Sequence, residues 1–445
     1  MSDFNSLTAS ELGDMIGQGE IDPVELTEHF LSRIETSPIG KKIYSTVTSQ
    51  LALEQAKDAK KRAILGRRLS SLDGVPISWK DLFDIKGYPC EAGSELLAGR
   101  LANQNCEVYN LAEAQGLICL GKTHMSELAF SGLGLNPVRE TPPCVNYPES
   151  VPGGSSSGAA TSVSFGLAAA GIGSDTGGSV RIPAAWNDLV GLKTTAGKLS
   201  LDGVVPLCSR FVTVGPLTKS VEDAARLSGI MSGREIDLPT PKAVKGLKLG
   251  ILKNVAMENV VDLPKKAFES AINKLKEAGA SISEIFVSSV DEARDLTGLL
   301  YSPEAYATWK HKIEKTPDLM FTKILERFRS GANVLASDFI CAWDKLMDLR
   351  QQYHSVVKMY DAVLIPTSPI IPPELDRLMN DGDFYNSQNL LALRNTRIGN
   401  LMGGCSITLP TDIPSCGLLI MGMPSQEERL LRLAQACELV LSRNQ

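Results

Sequence analysis

Apolar positions recur at helical spacing in two N-terminal stretches, residues 8–18 and 22–35. In the second, Leu26, Phe30, Leu31 and Ile34 share one stripe. Both stretches carry start signals. Thr8 with Glu11 offers a capping box, and Asp22 followed by Pro23 and Glu25 offers a capped first turn. The stripe predicts a helical arm over residues 1–65 that packs across a core.

From residue 73 the texture changes. "DGVPISWKDLFDIKG" predicts a short strand over 75–78 and then a turn. "GLICLGKTHMSELAF" predicts a strand over 117–120, and the small residues of "SGAATSVSFGLAAAG" suit a helix pressed against a sheet. "DLVGLKTTAG" and "DAVLIPTSP" add strand candidates. Residues 247–286 read strand, helix, strand, with Phe268, Ile272 and Leu275 on one helix face. Residues 287–360 read as polar helices, 394–424 as strands punctuated by Gly and Pro, and 425–442 as a last helix. Strands alternating with helices predict a layered α/β fold around one large sheet. The pattern divides into the arm, a central core over 66–224, a mainly helical insertion over 225–360, and a return to the core over 361–445.

Composition excludes several classes. The 445 residues are 43% hydrophobic and 22% charged, with a net charge of −6. No basic run points to nucleic acid or an anionic membrane. The N-terminal segment lacks a basic stretch followed by an apolar one, so no leader is expected, and no apolar run is long enough for a span. The nine cysteines are scattered without metal-ligand spacing, which predicts reduced thiols, a cytoplasmic setting and no metal.

Candidate chemistry comes from four places. Gly116 to Thr123 matches a phosphate-loop pattern, but its variable positions are Leu117, Ile118, Cys119 and Leu120, so the cradle would fall inside a strand. Four histidines offer a base for a serine triad; His29, His311 and His354 sit in polar helical stretches, and His124 at a strand-to-loop turn reads as structural. "VPGGSSSG" at 151–158 looks like a linker, yet it runs into a small-residue helix and then "GIGSDTGGSVRIP". There Gly177 and Gly178 free the backbone before Ser179 to aim N–H groups at one point, which an oxyanion hole requires. Lys80 in "VPISWKDLFD" is the one basic side chain in an apolar, strand-bounded setting. Burial beside Trp79 and Phe83 would lower its pKa and make it a base; an ion pair with Asp81 or Asp84 is the even alternative.

These segments together resemble the amidase signature family, which takes in bacterial amidases, malonamidase, fatty acid amide hydrolase and the A subunit of glutamyl-tRNA amidotransferase. "GGSSSG", "SDTGGSVRIPAA" and "VPISWKD" carry the resemblance, and it extends over roughly residues 8–440 through "GKTHMSELAFSG", "VGLKTT" and "VGPLTKSVEDAA". It implies a single amidase domain over 1–445, with one large mixed twisted β-sheet covered on both faces by α-helices. It implies Ser179 as nucleophile, Ser155 as a bridging serine after a cis peptide, and Lys80 as base. Ser155 lies 75 residues after Lys80 and 24 before Ser179, spacings that fit the family. The implied oxyanion hole and substrate contacts are Thr176, Gly177, Gly178, Ser179 and Ala129. Asp175, Arg181 and Ser156 are expected to support the loop. Arg181 could instead bind a substrate carboxylate; bracing is the favoured reading.

The resemblance implies an amidase with no cofactor, acting on a small-molecule amide, without direct nucleic-acid or membrane contact and with a homodimer as the assembly considered. The alternative is a glutaminase subunit that feeds ammonia to a tRNA-dependent transamidation complex. Two departures bear on substrate. Asp188 stands where many relatives have glycine, and "PVRETPPCVNYPES" replaces the commoner approach segment.

Overall fold

The structure is a computed structural model that describes residues 4–442 except 235, 237 and 239–242. Eleven strands form one mixed sheet: β1 (Tyr44–Val47), β2 (Pro76–Lys80), β3 (Ile118–Thr123), β4 (Ala170–Asp175), β5 (Val190–Lys193), β6 (Thr213–Thr218), β7 (Lys248–Leu252), β8 (Ser281–Ile285), β9 (Ala362–Pro366), β10 (Ser406–Pro410) and β11 (Gly417–Met421). Their spatial order is β1-β3-β2-β4-β6-β5-β10-β11-β9-β7-β8. β2 runs parallel to both β3 and β4, while β6 runs antiparallel to β4 and β5.

Helices flank the sheet, and its central strands are buried on both faces, while β1 and β8 at its two edges are largely exposed. Along β11, Leu418 and Ile420 join one apolar cluster, and Leu419 and Met421 join another. This is the period-two alternation of a strand with a core on each side. The small-residue helix, Ser157–Ser164, is packed inside, and it lies close enough to β4 that a Cβ on Gly171 would sit 2.5 Å from the Ala159 carbonyl oxygen.

The arm starts as its caps direct. Its first helix is Ala9–Gln18, with Thr8 Oγ1 accepting from the Glu11 N–H and Glu11 Oε2 accepting from the Thr8 N–H. Its second is Pro23–Thr36, with Asp22 Oδ1 accepting from the Val24 N–H. The arm is not only helical, because β1 lies within it and pairs antiparallel with β3.

Three further differences from the sequence pattern have local causes. β2 continues to Lys80 and β3 to Thr123, beyond the apolar residues that flag them, because ladder pairing with neighbours carries on through polar side chains. Residues 394–401 belong to the helix Gly382–Leu401, and the strands begin only at Ser406. The strands expected within 247–286 are present as β7 and β8, but they extend the far end of the same sheet, so the mainly helical segment 225–360 is part of the core layer and not only an insertion over it. No helix among the described residues is long and apolar enough to cross a membrane.

Candidate active site

The C-terminal ends of the parallel strands β2 and β4 lie side by side, the usual position for a site in an open α/β sheet. Lys80 is the last residue of β2, and Ser174 and Asp175 end β4. Lys80 is fully buried, with Nζ 2.7 Å from Ser155 Oγ and 2.8 Å from Ser174 Oγ. Burial holds its pKa well below the lysine range, against a smaller opposing pull from Asp175. Neither carboxylate beside it in sequence is its partner: Asp81 pairs with Lys122 at 3.1 Å, and Asp84 pairs with Arg100. Sequence reasoning misses Ser174; its one signal is its place just before Asp175.

Ser155 follows a cis peptide bond from Gly154. Position 154 has no room for a side chain, since a Cβ there would lie 2.5 Å from the Gly134 nitrogen and 2.6 Å from Ser126 Oγ. Ser156 ties this loop to the next. Its N–H donates to the Ser179 carbonyl at 3.1 Å, and its Oγ donates to the Ser174 carbonyl at 3.2 Å.

The loop 176–179 is shaped by Asp175. One carboxylate oxygen accepts from the Gly178 N–H at 2.9 Å and the other from the Val180 N–H at 3.1 Å. Arg181 closes on both oxygens at 2.9 Å, and Asn400 adds a third side-chain donor group. Burial alone would raise Asp175, but Arg181, Lys193 and Asn400 outweigh it and hold the carboxyl well below its usual range. Gly178, at φ 138°, is pressed so close to Thr396 that a Cβ would lie 2.1 Å from its Oγ1. Of the N–H groups expected to face an oxyanion, two are engaged elsewhere. The Gly178 N–H is taken by Asp175, and the Ala129 N–H donates to the Ser126 carbonyl at 3.0 Å. The N–H groups of Thr176, Gly177 and Ser179 have no acceptor among the described residues.

A family model described as Amidase matches residues 25–431. The chain belongs to the amidase family. It is 34% identical to 2-amino-5-chloromuconic acid deaminase of Comamonas testosteroni, covering 84% of this chain and 83% of that protein. It is 31% identical to the A subunit of the glutamyl-tRNA(Gln) amidotransferase of Geobacter sp. strain M21, covering 97% of this chain and 96% of that one. A crystal structure of an amidase superposes with a TM-score of 0.88 at 25% identity, covering 98% of this chain and all of that one. Peptide amidase from Stenotrophomonas maltophilia shares the fold at a TM-score of 0.80 and 23% identity, covering 99% of this chain and 98% of that one. The chain is thus an amide-hydrolysing enzyme.

The other candidates of this amidase fall into structural places. His124 is buried, and burial lowers its pKa to about 4. Its backbone carbonyl accepts from the Gly158 N–H and the Ser157 hydroxyl, bracing the start of the small-residue helix. Lys122 of the phosphate-loop pattern sits inside β3 and turns to Asp81 and the Pro89 carbonyl. His354 contacts the Met402 carbonyl, and His29 contacts Asn5.

Ser179, Thr176, Gly177 and Ala129 line a small cavity, which three distant side chains complete: Tyr301, Arg327 and Arg397. The same three also line a wider vestibule outside it. Sequence reasoning misses all three. They lie on the helices Thr297–Ile313, Thr322–Arg329 and Gly382–Leu401, far from the glycine-rich motifs, with no local pattern to mark them.

Proposed function

We propose that this amidase cleaves a carboxylic amide to an acid plus ammonia or an amine through an acyl-enzyme on Ser179. Lys80 is the base and Ser155 the relay. The observation that carries this is the fully buried Lys80, its Nζ held between two serine hydroxyls with no ion pair among the described residues. A lysine kept neutral has a lone pair for a proton.

Ser179 Oγ attacks the amide carbonyl carbon. Its proton passes to Ser155 Oγ as the Ser155 proton passes to Lys80 Nζ. The carbonyl oxygen becomes an oxyanion facing the open N–H groups of Thr176, Gly177 and Ser179. The C–N bond then breaks, and the nitrogen leaves with the proton returned from Lys80 through Ser155. Water attacks the ester by the same route in reverse, which frees the acid and restores Ser179.

Ammonia release from simple carboxylic amides by the purified chain alone tests the reading, with S179A as control. Loss of release in S179A supports it; turnover at the wild-type rate overturns it. The likeness to an amidotransferase component over 97% of the chain favours a second reading, that of a glutaminase subunit. Its signature would be a partner protein of fixed stoichiometry and glutamine as the one good substrate.

A further inference from the structure

The arginines of this protein mostly face carboxylates. Arg62 pairs with Asp73, Arg100 with Asp84 and Arg181 with Asp175. Arg327 and Arg397 do not. Among the described residues no hydrogen bond or ion pair engages either guanidinium, and Arg397 Nε is a buried donor without an acceptor. Each touches an aromatic ring instead: Arg327 Cζ lies 4.5 Å from the centre of Phe130, and Arg397 Cζ lies 5.5 Å from that of Tyr301.

Both line the cavity that holds Ser179. The position of a Cβ on Gly177 would be 3.6 Å from Arg397 Nε, so this guanidinium lies against the glycine loop itself. Tyr301 lines the same cavity, and its hydroxyl is likewise buried without a hydrogen-bond partner among the described residues. Among the described residues no acidic side chain lines this inner cavity. Glu326, the acid in the outer vestibule, is paired with Lys323 at 3.4 Å.

Two half-buried cations and a buried hydroxyl gathered at one cavity, with no anion among the described residues, carry a desolvation cost that an anion would relieve. A bound carboxylate would satisfy all three, since a guanidinium is shaped to grip two carboxylate oxygens. We propose that the substrate is an amide carrying a carboxylate within a few bonds of the scissile carbonyl, and that Arg327, Arg397 and the Tyr301 hydroxyl bind that carboxylate. Burial and the charge of Arg397 both lower the pKa of Arg327, to about 10, consistent with a site that lacks its anion. The acid-free lining adds a sign to the specificity. A substrate with an ammonium group beside its carboxylate, as in glutamine, finds no partner for that ammonium. The site therefore favours acid amides over amino-acid amides.

This inference rests on the Ser179 reading above, and the test keeps the two apart. Ammonia release is measured for the monoamides from oxamate to glutaramate, for their neutral diamides, and for glutamine. The best monoamide is expected to exceed its diamide, and glutaramate to exceed glutamine, by about 100-fold in kcat/KM, the scale on which unpaired buried polar groups reject an analogue. R327M and R397M are expected to collapse that ratio, chiefly through KM, and R397K to restore part of it. Equal turnover of charged and neutral amides by the wild type would overturn the inference, as would a preference that survives in both methionine variants. Labelling of wild-type Ser179 by a neutral fluorophosphonate separates the failures. Labelling without carboxylate preference sinks this inference alone; absence of labelling sinks the Ser179 reading first.

Discussion

Arg181 closes on Asp175 side-on, with Nε and Nη2 each 2.9 Å from a different carboxylate oxygen and neither residue exposed to water. Asp175 in turn holds the Gly178 and Val180 N–H groups, so the pair sets the shape of the loop that ends in Ser179. A guanidinium so engaged has no face left for substrate. R181M leaves a buried carboxylate without its cation, which costs about 3–5 kcal/mol. Equilibrium unfolding in urea should show that loss; an unchanged midpoint would contradict the bracing role.

Lys80 acts only when neutral. Its pKa lies well below the lysine range because of burial, so lowering the pH through that value protonates the base. The rate at limiting substrate should rise with pH and level off before the usual lysine range is reached. K80R keeps a permanent cation in the same place and should lose about 10²–10⁴-fold. A flat profile from acid to alkaline pH, with chemistry limiting, would remove Lys80 from the role of base.

Ser174 gives Lys80 Nζ a second hydroxyl partner beside Ser155. It touches no substrate in this account and serves to position Nζ. S174A should lower kcat by about 10-fold, one neutral hydrogen bond's worth, with KM little changed. It should also displace the pH profile, because one of the Lys80 Nζ partners is gone. A fall in activity with the profile unmoved would point to general disruption instead.

Glu127 offers a pH dependence of stability separate from catalysis. It is buried, bonded to the Ser94 hydroxyl and the Phe321 N–H, and burial pushes its pKa up to about 7 from 4.5. The folded state thus prefers the neutral acid. Its contribution is full below the unfolded value and is lost as pH rises through the folded one, over about 4.5 to 7, on the order of 3 kcal/mol. E127Q should flatten the fall of Tm across that window. A slope that persists in E127Q would assign it to other groups.

Much of this was legible in the sequence, for identifiable reasons. The caps at Thr8 and Asp22 act locally and need no tertiary context. Strands such as β9 announce themselves because burial on both faces demands an unbroken apolar run. β6 was not legible: Gly215 and Pro216 interrupt it, and its place between β4 and β5 comes from pairing, not from its own residues. At the site, glycine-rich segments expose Ser155 and Ser179 because backbone close approach leaves a mark in sequence. The ambiguity at Lys80 is resolved only by tertiary structure, which engages Asp81 and Asp84 with other cations. Arg327 and Arg397 look like ordinary helical arginines. What distinguishes them is that no carboxylate among the described residues partners them, and sequence carries no sign of that.

The most direct measurement is the mass of the enzyme quenched in acid during turnover of a slow amide or activated ester, followed by peptide mapping. The account predicts one acyl group, on Ser179, absent in S179A and slow to form in K80M. An acyl group on another residue, or full turnover by S179A with no adduct, would contradict it.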